Sequence, residues 1–213
     1  MKSFLRVWQG WRIVMPAIVI NALVQAALLL PGVLPYLTIP FILIALVGFF
    51  VLVASLVLVA AAMLQAVGGV VDADGVLSTL KERFWLVMLW SLGLVLVVTL
   101  GLSLFVLPGL IVLALTPFVL LAVIDGQRNP ISTNFAVIRA RWGSWLLTII
   151  VIAAACVVLW FFSALNGFFV SGAPAALIGW LVLGFASSWF ISRWAFIYRQ
   201  VVPRGASAKY THG

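Results

Sequence analysis

Charge is what this chain has least of. Only 8% of its 213 residues are charged, four of them acidic, and it holds one histidine and one cysteine. An ordinary soluble domain is about 25% charged. The single His212 excludes a His-Glu-x-x-His metal site. The carboxylates Asp72, Asp74, Glu82 and Asp125 leave little for general acid–base work. The run Asp72-Ala73-Asp74-Gly75 lacks the further ligands of a calcium loop, and Arg83 stands where the bidentate Glu would be. Neither a catalytic residue, nor a metal site, nor a cofactor is expected. Cys156 alone forms no internal disulfide.

In place of charge the chain has apolar surface. It is 66% apolar, with a mean hydropathy of +1.33. A soluble fold of that composition would expose large apolar patches and aggregate. This excludes a soluble enzyme and a nucleic-acid-binding domain. Runs such as residues 41–62 are apolar on every face, unlike the alternating strands of a membrane barrel. The expected fold class is all-α: a polytopic integral membrane protein with six transmembrane helices.

A spanning helix needs about 20 apolar residues. The expected spans are 13–30, 41–65, 85–106, 110–124, 143–165 and 175–198, forming one membrane domain over 1–198. Residues 199–213 form a polar tail. Residues 1–12, with Phe4, Trp8 and Trp11 at helical spacing, read as an amphipathic interfacial helix. Gly179, Gly184, Ala186 and Ser187 suit close helix packing in the last span.

The net charge of +8 comes from residues at span ends. With the N-terminus in the cytoplasm and six crossings, Lys81, Arg83, Arg128, Arg139, Arg141, Arg199, Arg204 and Lys209 all fall inside. The three outer turns then carry no charge. The cytoplasmic membrane is the expected location, with both termini cytoplasmic. Anionic lipid headgroups are the expected partners, together with a membrane or cytoplasmic protein, and no nucleic acid.

The two inner segments repeat at a spacing of 58 residues. Lys81-Glu82-Arg83-Phe84 aligns with Arg139-Ala140-Arg141-Trp142, and Leu107-Pro108-Gly109 with Leu165-Asn166-Gly167. The segment with Arg12 and Leu30-Pro31-Gly32 is a third, diverged copy. Three tandem hairpins follow, with short amphipathic helices on the cytoplasmic side. Asp74 is expected to cap the first surface helix, with Leu77, Leu80 and Phe84 as its stripe. Asn129-Pro130 starts the second, with Ile131, Phe135, Ile138 and Trp142 as its stripe. Lys81, Arg83, Arg139 and Arg141 are the candidate contacts to lipid headgroups or a partner.

From about Val70 to Trp145 the chain resembles a known family. The shared features are the Leu107-Pro108-Gly109 turn, the short span after it, Asp125-Gly126, and the helix ending Arg139-Ala140-Arg141-Trp142. The family is the six-span bacterial one that also forms the membrane domain of some glycerophosphodiester phosphodiesterases. Members often carry Ser where this chain has Asn134, and Gly where it has Ala140. The resemblance implies a fold and no reaction, because the phosphodiesterase activity belongs to a separate soluble barrel.

Four polar residues within or bordering the spans are candidate intramembrane contacts: Asn21, Gln25, Asp125 and Arg193. Asn21 and Gln25 share one helix face and suit a bond to a neighbouring helix or a substrate headgroup. Arg193 either snorkels to the inner headgroups or pairs with Asp125. Pro117 interrupts the fourth span, and Thr116 is the expected partner for the carbonyl it frees. The leading functional reading is a non-enzymatic scaffold or accessory subunit. The alternative is the transmembrane component of a transporter driven by a separate ATPase, since this chain has no phosphate-binding loop. A membrane enzyme acting on lipids ranks last.

Overall fold

A computed structural model describes residues 8–28, 38–104 and 106–203. Residues 1–7 of the expected interfacial helix, the turn at Leu30-Pro31-Gly32 and the tail beyond 203 lie outside the described residues. So do the side chains of Asn166 and Phe168.

The described chain is helical, without a strand. Its elements are α1 (Trp11–Ala27), α2 (Ile39–Ala66), α3 (Ala73–Leu104), α4 (Val106–Leu115), α5 (Val119–Ile124), α6 (Pro130–Ala140), α7 (Trp142–Phe169) and α8 (Gly172–Arg199). Five stretches are long and apolar enough to cross a membrane: α2, α3, α4 with α5, α7 and α8. α1 is apolar and shorter, at 17 residues.

α2 is the centre of the bundle. It packs against α1, α3, α5 and α8, and its second half is nearly all buried, from Val57 to Ala66. α1 lies between α2 and α8. Small residues let it approach: a Cβ on Gly184 would stand 2.6 Å from Ile18 Cγ2. Close contact of this kind drives helix association in lipid, where no hydrophobic force acts between helices. Gly179 has no such neighbour, and faces a groove between α7 and α8 instead. α7 touches α8 and, at its start, α6.

Several expectations change. The first surface helix and the third span are one helix, α3, of 32 residues. At 1.5 Å per residue it is about 48 Å long, well beyond an apolar slab of about 30 Å. Residues 73–104 contain no proline, so nothing breaks the ladder at Phe84-Trp85. Asp74 is not the cap. Asp72 takes that role, its Oδ1 accepting from Asp74 N at 3.3 Å and its Oδ2 from Gly75 N at 2.9 Å.

Leu107-Pro108-Gly109 is not the turn either, since it lies inside α4. Proline is tolerated there because the first helical turn has no use for its missing N–H. α3 ends at Leu104, α4 starts at Val106, and the two helices pack back against each other. This tightness rests on two glycines, because a Cβ on Gly101 would stand 2.8 Å from Gly109 Cα. Residues of α3 from Ser91 to Thr99 then face Leu113 to Leu120 across a shared groove with α2.

A helix starts at Asn129-Pro130 as expected. Asn129 Oδ1 accepts from Ser132 N at 3.1 Å, and Pro130 occupies the first turn of α6. Only Arg141, with non-helical backbone, separates α6 from α7.

Candidate functional site

Two basic residues, Arg83 and Arg199, meet the chain at the end of α5. There the chain leaves the helix through a double turn. Gly126 N donates to Val123 O at 3.0 Å, and Gln127 N to Ala122 O at 2.9 Å. The residue in the middle must adopt positive φ, and Gly126 does so at +79°. This turn aims the Asp125 carboxylate back at α8.

Asp125 is held on both oxygens. Its Oδ1 pairs with Arg199 Nη2 at 2.5 Å. Its Oδ2 accepts from the Tyr198 hydroxyl at 2.9 Å and from Gln127 Nε2 at 3.0 Å. Both members of the ion pair are only 12% exposed. Arg199 Nε and Nη1 are buried without a partner, so the guanidinium depends on this one carboxylate. On the other side of the turn, a Cβ on Gly126 would stand 2.7 Å from Arg83 Nη2. Two arginines therefore flank Asp125-Gly126, one bonded and one lying against its backbone.

Of the two readings of Arg193, the pairing with Asp125 does not form. Arg193 Nε donates to Thr148 Oγ1 of α7 at 2.9 Å. Six residues along a helix turn the face by about 120°, so Arg193 and Arg199 cannot both meet α5. Arg193 is instead a tie between α8 and the sparsely packed α7.

Lys81, Arg139 and Arg141 are exposed, and Arg83 is half-buried. None has a hydrogen-bonded or ion-pair partner among the described residues. Near them Trp85 is 68% and Trp142 60% exposed. Ile131 and Phe135 of α6 are exposed too. Exposed cations with tryptophans beside them in the chain are what a membrane interface selects.

A second polar centre sits where Pro117 separates α4 from α5. Asn134 of α6 is fully buried there. Its Nδ2 donates to Leu115 O at 2.7 Å and its Oδ1 accepts from Phe118 N at 3.0 Å. Trp145 Nε1 donates to Ala114 O at 3.0 Å. The broken backbone is thus bonded on both sides by one amide, which carries the donor and the acceptor the break requires. Thr116 does not serve this purpose, because its hydroxyl bonds back to Val112 O at 2.8 Å. Sequence reasoning passed over Asn134. The signal was present: Pro130, Asn134 and Val137 form the buried stripe of α6, and a polar residue on such a stripe needs buried partners.

Asn21 and Gln25 do face a neighbouring helix. Gln25 Nε2 donates to Gly48 O of α2 at 2.9 Å and lies 3.4 Å from Asn21 Oδ1. Ser55 of α2 returns a bond to Ala17 O at 3.2 Å. These bonds stitch α1 to α2.

The fold and this arrangement define a multi-pass helical membrane protein. No protein-family model, curated protein or solved structure matches the chain.

Proposed function

We propose that this protein is a non-enzymatic scaffold or accessory subunit of the cytoplasmic membrane that holds anionic lipid headgroups at its basic end. Lys81, Arg83, Arg139 and Arg141 are the contacts. The observation that carries the reading is the set of cations without partners among the described residues, beside exposed Trp85 and Trp142. Such cations attract phosphate by about 1 kcal/mol each near an anionic surface. α6 lies on that surface with Ile131 and Phe135 toward the acyl chains.

Counting α1 with the five longer stretches gives six crossings, as in the family the chain resembles. An even count returns both termini to the basic, cytoplasmic side, in three hairpins. The distribution of Lys and Arg supports this orientation.

The test is lipid retention by the full chain. The protein is reconstituted with equal phosphatidylglycerol and phosphatidylcholine, then extracted in mild detergent, and bound lipid is weighed by native mass spectrometry. Phosphatidylglycerol is expected to dominate. A variant with Lys81, Arg83, Arg139 and Arg141 all changed to Gln should lose that preference. Equal retention of both lipids by the unaltered protein would overturn the proposal.

The helix broken at Pro117 favours a second reading, a transport component coupled to a separate ATPase, because broken helices line many transport sites. A stoichiometric ATPase in the extracted complex would support it.

A further inference from the structure

We infer that the groove between α1, α2 and α8 binds a neutral, lipid-soluble molecule through a carbonyl oxygen at mid-depth in the bilayer. The groove encloses about 240 Å³. Its walls include Ile18, Asn21, Ser55, Trp180, Ser187 and Ser188. Three helices thus bring four polar side chains to one place in an otherwise apolar bundle.

Their depth is common. At 1.5 Å per residue, Asn21 lies about 14 Å along α1 from Arg12, and Ser187 about 18 Å along α8 from Arg199. Ser55 lies about 17 Å from the end of α2. Half the hydrocarbon thickness is about 15 Å. The cluster therefore sits where neither water nor a lipid ester supplies hydrogen bonds.

Two of the four are satisfied within the protein. Ser55 donates to Ala17 O, and Ser188 to Phe185 O at 2.8 Å. The other two are not. Asn21 is 5% exposed, and its one bond is the long contact that Oδ1 accepts from Gln25. Its Nδ2 has no partner among the described residues. Ser187 has none either, although a helical serine commonly bonds back one turn. Ser187 is half-buried and Asn21 Nδ2 is not closed over by protein, so both donors open onto the groove, where hydrocarbon leaves them unpaired at a cost. Both wall groups lack the same thing, an acceptor.

The chemistry of the occupant follows. None of the wall residues is charged, so a charged headgroup has no counter-ion there. An amide N–H and a hydroxyl are both donors, and one carbonyl oxygen has two lone pairs to receive them. The Trp180 indole gives a flat wall against which an aromatic or quinone-like ring packs. Acyl chains carry no acceptor at this depth and leave both donors unmet.

The test uses benzophenone, a neutral diaryl ketone whose carbonyl also inserts into nearby C–H bonds under ultraviolet light. The full chain is placed in nanodiscs of phosphatidylcholine and phosphatidylglycerol, irradiated with the ketone, digested and mapped by mass spectrometry. Adducts are expected to concentrate on Ile18, Leu52, Trp180 and Leu183. Asn21→Leu should reduce them about tenfold, the loss expected of one bond near 1.4 kcal/mol. Ser187→Leu fills the half-open side of the groove without touching the bonds between α1 and α2. It keeps the test intact if Asn21→Leu fails to fold. Ser163→Leu, in the groove between α7 and α8 that shares Trp180 and Leu183 with this one, should leave the adducts on Ile18 and Leu52 unchanged. Adducts spread evenly over lipid-facing residues such as Leu89 and Leu100, or labelling indifferent to Ser187→Leu, would overturn the inference.

Discussion

The segments that lead into α3 and α7 align in sequence and fold differently. Lys81-Glu82-Arg83-Phe84 lies inside one unbroken helix, whereas Arg139-Ala140-Arg141-Trp142 straddles a break between two. Both begin with a side-chain cap, Asp72 in the first and Asn129 in the second. What separates them is the burden each carries. α6 must present Asn134 and Val137 to the core, while α3 sends only Val76, Val87 and Ser91 inward along its 32 residues. The break at Arg141 frees α6 to turn its polar stripe toward α5 while α7 takes its own direction. A repeated sequence thus supplies a framework, and the buried polar contact decides where the helix is cut.

The sharpest way to break this comparison is Asn134→Leu. It leaves Leu115 O and Phe118 N buried without partners, each costing about 1–3 kcal/mol. Stability measured by thermal unfolding in mild detergent should fall by several kcal/mol. A loss below about 1 kcal/mol would mean that the break does not depend on α6.

Next is the ion pair beside the second segment. Arg199→Met strands a carboxylate in a nearly closed site, and breaking a buried pair costs about 3–5 kcal/mol. In a double-mutant cycle, Asp125→Asn and Arg199→Met should couple strongly. Asp125→Asn and Arg193→Gln should add within about 0.5 kcal/mol, as separate sites do. Coupling of the second pair and additivity of the first would contradict the geometry.

The caps give a smaller effect. Asp72→Ala and Asn129→Ala should each cost about 1 kcal/mol. Equal losses would show that the two segments start alike and differ only further along. Changing Lys81 or Arg139 singly to Gln should move stability by less than about 0.5 kcal/mol, because both are exposed and neither has a hydrogen-bond or ion-pair partner among the described residues.

The sequence made the helices legible where composition alone decides. α2, α7 and α8 lie within a few residues of the expected spans, because long apolar runs bounded by Gly, Pro or charge have one reading. Asn129-Pro130 was legible for a similar reason, since capping is local. The polar centres were harder. Asp125 reads in the sequence as a candidate partner of Arg193, yet finding that Arg199 is the one that reaches it requires the rotation of α8 about its axis. Hydropathy does not report that angle. Asn134 was hidden because its partners are backbone atoms of a break 16 to 19 residues earlier. The merger of the first surface helix with α3 escaped because a change from polar to apolar composition marks where lipid begins, not where a helix ends.

The reversal between α3 and α4 has a consequence for how the chain is made. Leu104, Val106 and Leu107 at its tip are all exposed and apolar, and Gly101 against Gly109 removes the need for a connecting loop. An insertion machine therefore has nothing hydrophilic to carry across at this point.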